Sequence, residues 1–324
     1  MSAEPLRVVY VGSWSRSGST LLDLMLGQIS GFVSVGELRF LWERGLTERQ
    51  LCGCGVPVPD CPFWQAVLGE AFGGVNRVDA DAILALQRRV DGLPRMPWVL
   101  APWRPAGLDR DLRAYREILG RVYRAVRAVS GASVIVDSSK YAAYGRILCG
   151  VPGLEVAVLH LVRDSRAVAH SWTRRKRMPE VAEEERYMRL FTPARSAFYW
   201  ALENVALELV RGSRGRRCVL RYEDMTSRPV EVLGPALARI GIRADVGFLG
   251  SGRLRLDENH TVAGNPVRFE RGDVAIAPDN EWLGRLASEA RRVVTALTWP
   301  LLLRYGFPTK IRSVTPGMAP SSVR

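Results

Sequence analysis

A loop written Gly12-Ser-Trp-Ser-Arg16-Ser17-Gly18-Ser19-Thr20 holds the first residues whose types and spacing suit chemistry. It follows a short apolar run and precedes a helical pattern. Backbone N–H groups, hydroxyls and a helix N-terminus therefore converge on a place suited to a phosphate-like anion. The loop is not a Walker motif: no lysine separates Gly18 from Ser19, and the basic residue is Arg16, inside the loop. A second constellation, Arg163-Asp-Ser-Arg-Ala-Val-Ala-His-Ser171, starts where another apolar run ends. In an open α/β sheet that edge is where ligands bind. A guanidinium there, with a hydroxyl two helical turns further on, suits a second phosphate. Taken alone, Arg163 would equally serve a surface ion pair with Asp164 or Glu37.

Two more charged groups stand just past apolar runs. Glu37 sits in Val35-Gly36-Glu37-Leu38-Arg39, and Lys140 closes Val136-Asp137-Ser138-Ser139-Lys140. A carboxylate at that edge could take a proton from an acceptor within hydrogen-bond reach; its structural alternative is an ion pair with Arg39 or Arg16. Lys140 is one of three lysines in a chain whose other cations are arginines, so compositional bias does not explain it. Its alternative is an exposed loop lysine. Cys52, Cys54 and Cys61 cluster in one short loop, while His160, His170 and His260 are remote in sequence. A zinc site usually needs four ligands, so a disulfide or a structural role in the loop is expected there rather than a metal. Cys149 and Cys218 read as small buried residues. His160 reads as a satisfied strand residue, His170 as a packed helical one, and His260 as a group able to touch an acceptor.

These residues need elements to position them. Leu6–Ser13, 33–35, 132–136, 156–162 and Arg217–Arg221 read as strands. Helical patterns cover about 19–28, 63–72, 79–91, 108–129, 141–149, 164–176, 180–190, 194–211 and 279–305, the last with a possible break at Pro300. Apolar strands alternating with helices imply an α/β fold: a central parallel sheet with helices on both faces around a P-loop-like nucleotide-binding core. The stretch 93–105 is too rich in proline for regular structure and is expected as a loop, either a lid or a plain connection. The segment 251–277, rich in Gly, Arg and Asn, is expected to fold back over a ligand. One domain over residues 1–308 and a disordered tail over 309–324 complete the reading.

The pair Arg16-Ser-Gly-Ser-Thr20 and Arg163 to Ser171 resembles the family of sulfotransferases that use 3′-phosphoadenosine-5′-phosphosulfate (PAPS). The nearer likeness is to its tyrosylprotein and carbohydrate branch and their bacterial relatives. The resemblance implies that Arg16, Ser17, Gly18, Ser19 and Thr20 hold the 5′-phosphosulfate and that Arg163 and Ser171 hold the 3′-phosphate. Leu220-Arg-Tyr222-Glu-Asp-Met resembles the family's Arg-Tyr-Glu-Asp-Leu stretch, which implies an adenine-seating role for Tyr222. Gly264-Asn265-Pro-Val-Arg268-Phe resembles its late loop, which implies that Asn265 and Arg268 close over the 3′-phosphate. The segment around Glu37 is similar to one that carries a catalytic glutamate, and Lys140 stands where the family stabilises the bridging oxygen and the sulfuryl group. Tyr141 follows where the cytosolic branch has a catalytic histidine, a departure that favours Glu37 as general base. The implied cofactor is PAPS, with PAP (3′-phosphoadenosine-5′-phosphate) as product and no metal.

Composition agrees without deciding. In 324 residues, 46 Lys+Arg against 33 Asp+Glu give a formal charge of +13. Such a surface suits a multiply phosphorylated small molecule, nucleic acid or anionic lipid, and arginine suits bidentate phosphate contacts. No apolar run is long enough for a membrane span, and the N-terminus lacks the pattern of a signal peptide. A cytoplasmic enzyme is expected, acting on a small-molecule, sugar or lipid acceptor, with no nucleic acid partner and no integral membrane association. Trp42, Trp64 and the segment Trp98–Trp103 hint at an aromatic or lipid-like acceptor. The rivals are a P-loop kinase, which wants magnesium and the missing lysine, and a non-catalytic polyanion binder, which has no use for Glu37 or Lys140.

Overall fold

The structure, a computed structural model, describes residues 5–101, 104–175, 177–178 and 186–309. Five strands form one sheet: β1 (Leu6–Ser13), β2 (Phe32–Ser34), β3 (Val134–Lys140), β4 (Leu154–Val162) and β5 (Arg217–Arg221). Their order is β2-β3-β1-β4-β5 and every pairing is parallel. Side chains alternate between the two faces of a strand, and both faces here are covered, so the strands are apolar almost throughout. Val8, Tyr10, Ile135, Val156 and Val158 point to one core. Val9, Val11, Val136, Leu159 and Leu161 point to the other.

The first core is closed by the helix Ala106–Ser130. Its buried Leu112, Tyr115, Leu119, Val122, Tyr123 and Val126 recur with the helical period. On the second face lie the helix Ser19–Gly27, burying Leu22, Met25 and Leu26, and the helix Pro229–Arg239, burying Leu233 and Leu237. Helices thus cover both faces, as the alternation of patterns implied.

Several expectations need correction. The proline-rich stretch is helical over Leu93–Arg95 and Met96–Leu100: Pro94 and Pro97 fall in first turns, where proline's fixed φ and missing N–H are tolerated. Pro102 and Trp103 lie outside the described residues. Pro300 does not break the final helix, Ser288–Arg304; the break comes earlier, after the short helix Trp282–Arg285. The helix expected at 180–190 falls largely outside the described residues, and Arg186–Tyr187 is a short strand paired with Arg177–Met178. The tail from Lys310 also lies outside them. Among the described residues, no helix is long and apolar enough to cross a membrane.

Candidate active site

All five parallel strands deliver a residue to the same edge of the sheet. β1 leads into Ser15 and Arg16, β2 into Glu37, β3 ends on Lys140, β4 leads into Arg163 and β5 into Tyr222. Together with Gly18, Ser19, Thr20, Ser171 and Asn265 they line a cleft of about 340 Å³. It sits at the carboxyl ends of the strands, where β1 is flanked by β3 on one side and β4 on the other, the switch point that open α/β sheets use for ligands.

The loop between β1 and the helix Ser19–Gly27 is shaped for an anion. Gly18 caps that helix at φ 88°, and a Cβ there would lie 2.4 Å from the Tyr222 ring, so the close approach of ring and loop requires glycine. Arg16 also has positive φ, 72°, an uncommon state for a side-chain-bearing residue. Its guanidinium lies 5.0 Å from the Trp172 ring centre, and both terminal nitrogens are buried with no hydrogen-bond partner among the described residues. Burial lowers its pKa from the ordinary arginine value. A desolvated, unpaired cation beside a helix N-terminus is an incomplete electrostatic arrangement that an anion would complete. Ser17 is buried behind the cleft lining, its hydroxyl also without a partner among the described residues.

Arg163 is held in place. It donates to the Arg16 carbonyl at 3.1 Å, pairs with Asp279 at 3.1 Å and lies 4.5 Å from the Tyr222 ring centre. Its partner is therefore neither Asp164, which pairs with Arg166 at 2.6 Å, nor Glu37. Tyr222 is itself buried, with its hydroxyl 3.4 Å from the Ala277 carbonyl.

At the other end of the cleft, Lys140 Nζ donates to Glu37 Oε1, and both side chains are buried. Glu37 is thus paired with Lys140, and Arg39 is drawn off to Asp91 at 2.5 Å. A register shift between β1 and β3 turns Lys140 towards the cleft: Tyr10 faces Asp137, whereas Gly12 faces Lys140. Lys140 has φ 74° as well. Glu37 is fixed by its backbone, which donates to Val262 at 2.7 Å, next to Gly36 at φ 69°. A Cβ on Gly36 would come within 2.6 Å of the Val262 carbonyl.

The segment 261–269 does fold over this edge. The Asn265 N–H donates to the Thr20 hydroxyl at 3.1 Å, and Gly264, Asn265 and Val267 form one wall. Arg268 does not join them. It is fully buried, donating to the Thr261 carbonyl at 2.7 Å and the Leu51 carbonyl at 2.8 Å. The single turn Pro266–Phe269 is a 3₁₀ helix, in which successive side chains are about 120° apart, so Val267 faces the cleft and Arg268 faces the protein.

The histidines divide. His160 is buried between Asn204 at 2.9 Å and Arg217 at 2.7 Å, and burial pushes its pKa down to about 4: a satisfied strand residue. His170 is buried on its helix. His260 is not a cleft residue; its Nδ1 lies 3.4 Å from Cys61 Sγ and 3.9 Å from Cys52 Sγ. All five cysteines are free thiols, so of the two roles expected for the loop cysteines, disulfide or structural, the disulfide does not form. The absence of a fourth ligand, on which the expectation of no metal rested, is also corrected, because the fold brings His260 to the cysteine loop.

Sequence reasoning missed the aromatic walls Phe40 and Trp172, and with them Arg44, Met188 and Arg189. Adjacency of Trp172 to Ser171 was the one available signal. Trp42 and Trp64, expected near an acceptor, are core residues instead, and Trp98 is exposed away from the cleft.

Neither a protein family's sequence pattern nor a curated protein matches the chain. Among solved structures, the fold matches the sulfotransferase domain of the Synechococcus PCC 7002 olefin synthase, with 20% identity and a TM-score of 0.52 over 94% of this chain and 97% of that one. The sulfotransferase domain of the curacin biosynthetic pathway aligns more loosely, with 20% identity and a TM-score of 0.46 over 95% of this chain and 100% of that one.

Proposed function

We propose that the chain is a PAPS-dependent sulfotransferase acting on a hydroxyl of a small-molecule, sugar or lipid acceptor. The observation that carries this is the composition of one sheet edge. A strand–loop–helix with an Arg16 that has no hydrogen-bond partner among the described residues, a fixed Arg163 near Ser171, and a buried Glu37–Lys140 pair share a single cleft. The shared fold with the olefin synthase domain supports the reading.

In it, residues 16–20 receive the 5′-phosphosulfate, Arg163 and Ser171 the 3′-phosphate, and Tyr222 the adenine. Glu37 takes the acceptor's hydroxyl proton as the oxygen attacks sulfur. The new O–S bond forms while the bond from sulfur to the bridging phosphate oxygen breaks, and PAP leaves. Lys140 and Arg16 meet the charge that develops on that bridging oxygen. Such transfers depend on positioning and preorganised charge, which cations already in the cleft would supply. Arg268 serves the wall rather than the donor. The aromatic walls Phe40, Tyr141 and Trp172 suit an acceptor with apolar surface.

Calorimetric titration tests the donor assignment, with PAP in the presence of a chelator set against ADP with magnesium. Metal-independent binding of PAP, weakened in Arg163→Ala, is the expected result. Preference for magnesium-ADP would move the chain to a kinase reading.

A further inference from the structure

Cys52, Cys54, Cys61 and His260 place their ligand atoms within 4.8 Å of one another. Cys54 and Cys61 sulfurs are 3.6 Å apart, and His260 Nδ1 is 3.4 Å from Cys61 Sγ and 3.9 Å from Cys52 Sγ. Tetrahedral zinc, with Zn–S about 2.3 Å and Zn–N about 2.0–2.1 Å, sets its ligand atoms about 3.5–3.8 Å apart. Three of the six separations, 3.4, 3.6 and 3.9 Å, are already close to those values, across some two hundred residues of chain. We infer that these four residues form a structural zinc site that ties the cysteine loop to the segment bearing the Asn265 wall of the cleft.

The chemistry of the donor set favours this over the alternatives. Three thiols cannot all pair as disulfides, and a disulfide gives the imidazole no role. Three sulfurs and one nitrogen are a soft set suited to zinc, and four protein ligands fill a tetrahedral shell, leaving no open position for catalysis. Binding releases the thiol protons and leaves three thiolates and a neutral imidazole around the divalent ion, a net charge of about −1. Arg271, which donates to the Gly53 carbonyl at 2.6 Å, stands beside that charge.

The surroundings hold the ligands in orientation. Cys52 N–H donates to the Val56 carbonyl and Gly55 N–H to the Cys52 carbonyl, a tight knuckle that brings Cys52 and Cys54 together. The His260 ring stacks on Phe63, with centroids 4.9 Å apart, and its carbonyl accepts from Trp64 Nε1 at 2.9 Å. Its Nε2 lies 3.9 Å from the Glu258 carboxylate, the kind of outer partner that orients a ligating imidazole. One residue past His260, the Thr261 carbonyl accepts from Gly53 N–H at 3.0 Å. Val262 then pairs with Val35 and Glu37, and Asn265 reaches Thr20. The metal would anchor this whole run.

Metal analysis of the full chain, purified without a polyhistidine tag, tests the site. One zinc per chain is expected; it is lost in Cys54→Ser and in His260→Ala and kept in His260→Cys, which restores a four-ligand set. Cobalt exchanged into the wild-type chain should show the intense visible bands and sulfur-to-metal charge transfer of a tetrahedral thiolate site, a readout that does not depend on any variant folding. Wild-type protein grown with zinc that contains no metal, or whose cobalt form lacks the thiolate bands, overturns the inference. So does a wild-type zinc content that Cys54→Ser and His260→Ala leave unchanged.

Discussion

The two ends of the cleft handle charge in opposite ways. At the β1 end Arg16 is buried and its terminal nitrogens have no partner among the described residues, while its neighbour Arg163 is braced against a backbone carbonyl and Asp279. At the β2–β3 end, Lys140 and Glu37 neutralise each other. A buried unpaired cation is costly and a buried pair much less so. In the proposed reaction, an incoming anion would complete the first end, and an acceptor would separate the two charges of the second. Both ends hold a basic residue at positive φ, Arg16 and Lys140, a strain of about 1–3 kcal/mol each that the surrounding sheet edge must offset.

Glu37 separates the two ends most clearly. Glu37→Gln keeps the shape and removes the base, so turnover should fall about 10²–10⁴-fold. Steady-state assays of PAP release, with any acceptor found by screening, read this; unchanged turnover removes Glu37 from the chemistry. Arg16→Ala should act on binding, weakening PAP about 10–100-fold, the worth of a charge-assisted contact. The same variant relieves an unpaired buried charge, so its thermal stability without ligand should not fall. A clear loss of ligand-free stability would mean that Arg16 is structural.

Gly18→Ala sharpens the picture of the first end. The added methyl meets the Tyr222 ring at a left-handed backbone position, and a destabilisation of about 1–3 kcal/mol, read from urea unfolding, is expected. A subtler probe lies behind the second end. Asp23 is fully buried, bonded to the Ser34 hydroxyl, and burial raises its pKa to about 7. An acid raised in this way holds its proton in the folded state after the unfolded chain has lost it, so its contribution falls between about pH 4 and 7. Asp23→Asn should therefore gain on the wild type as pH rises through that window. A stability difference that stays flat with pH would contradict the assignment.

Much of this was legible because it is local. Leu6–Ser13 and Leu154–Val162 are apolar runs rich in β-branched residues and buried almost throughout, and a strand's end shows as polar or charged residues soon after such a run. That is why Glu37, Lys140 and Arg163 could be read one by one, whereas Tyr222 was named only through the resemblance of its stretch to a family motif. What was illegible depends on distant approach. Arg268 shares a motif-like run with Asn265, yet one residue of 3₁₀ rotation sends it to the Leu51 carbonyl. Phe40 and Trp172 become walls only when the strand ends converge. His260 meets the cysteine loop only because Val262 pairs beside Gly36. Proline content misled over Leu93–Leu100, since Pro94 and Pro97 occupy first turns rather than interiors.

Calorimetric titration of PAP into wild type, Arg16→Ala and Glu37→Gln, side by side in chelator, tests the division of the cleft most directly. The account predicts metal-free binding to the wild type, a Kd about 10–100-fold weaker in Arg16→Ala, and near wild-type affinity in Glu37→Gln. Equal affinity in Arg16→Ala and the wild type, or a loss in Glu37→Gln as large as in Arg16→Ala, would contradict it.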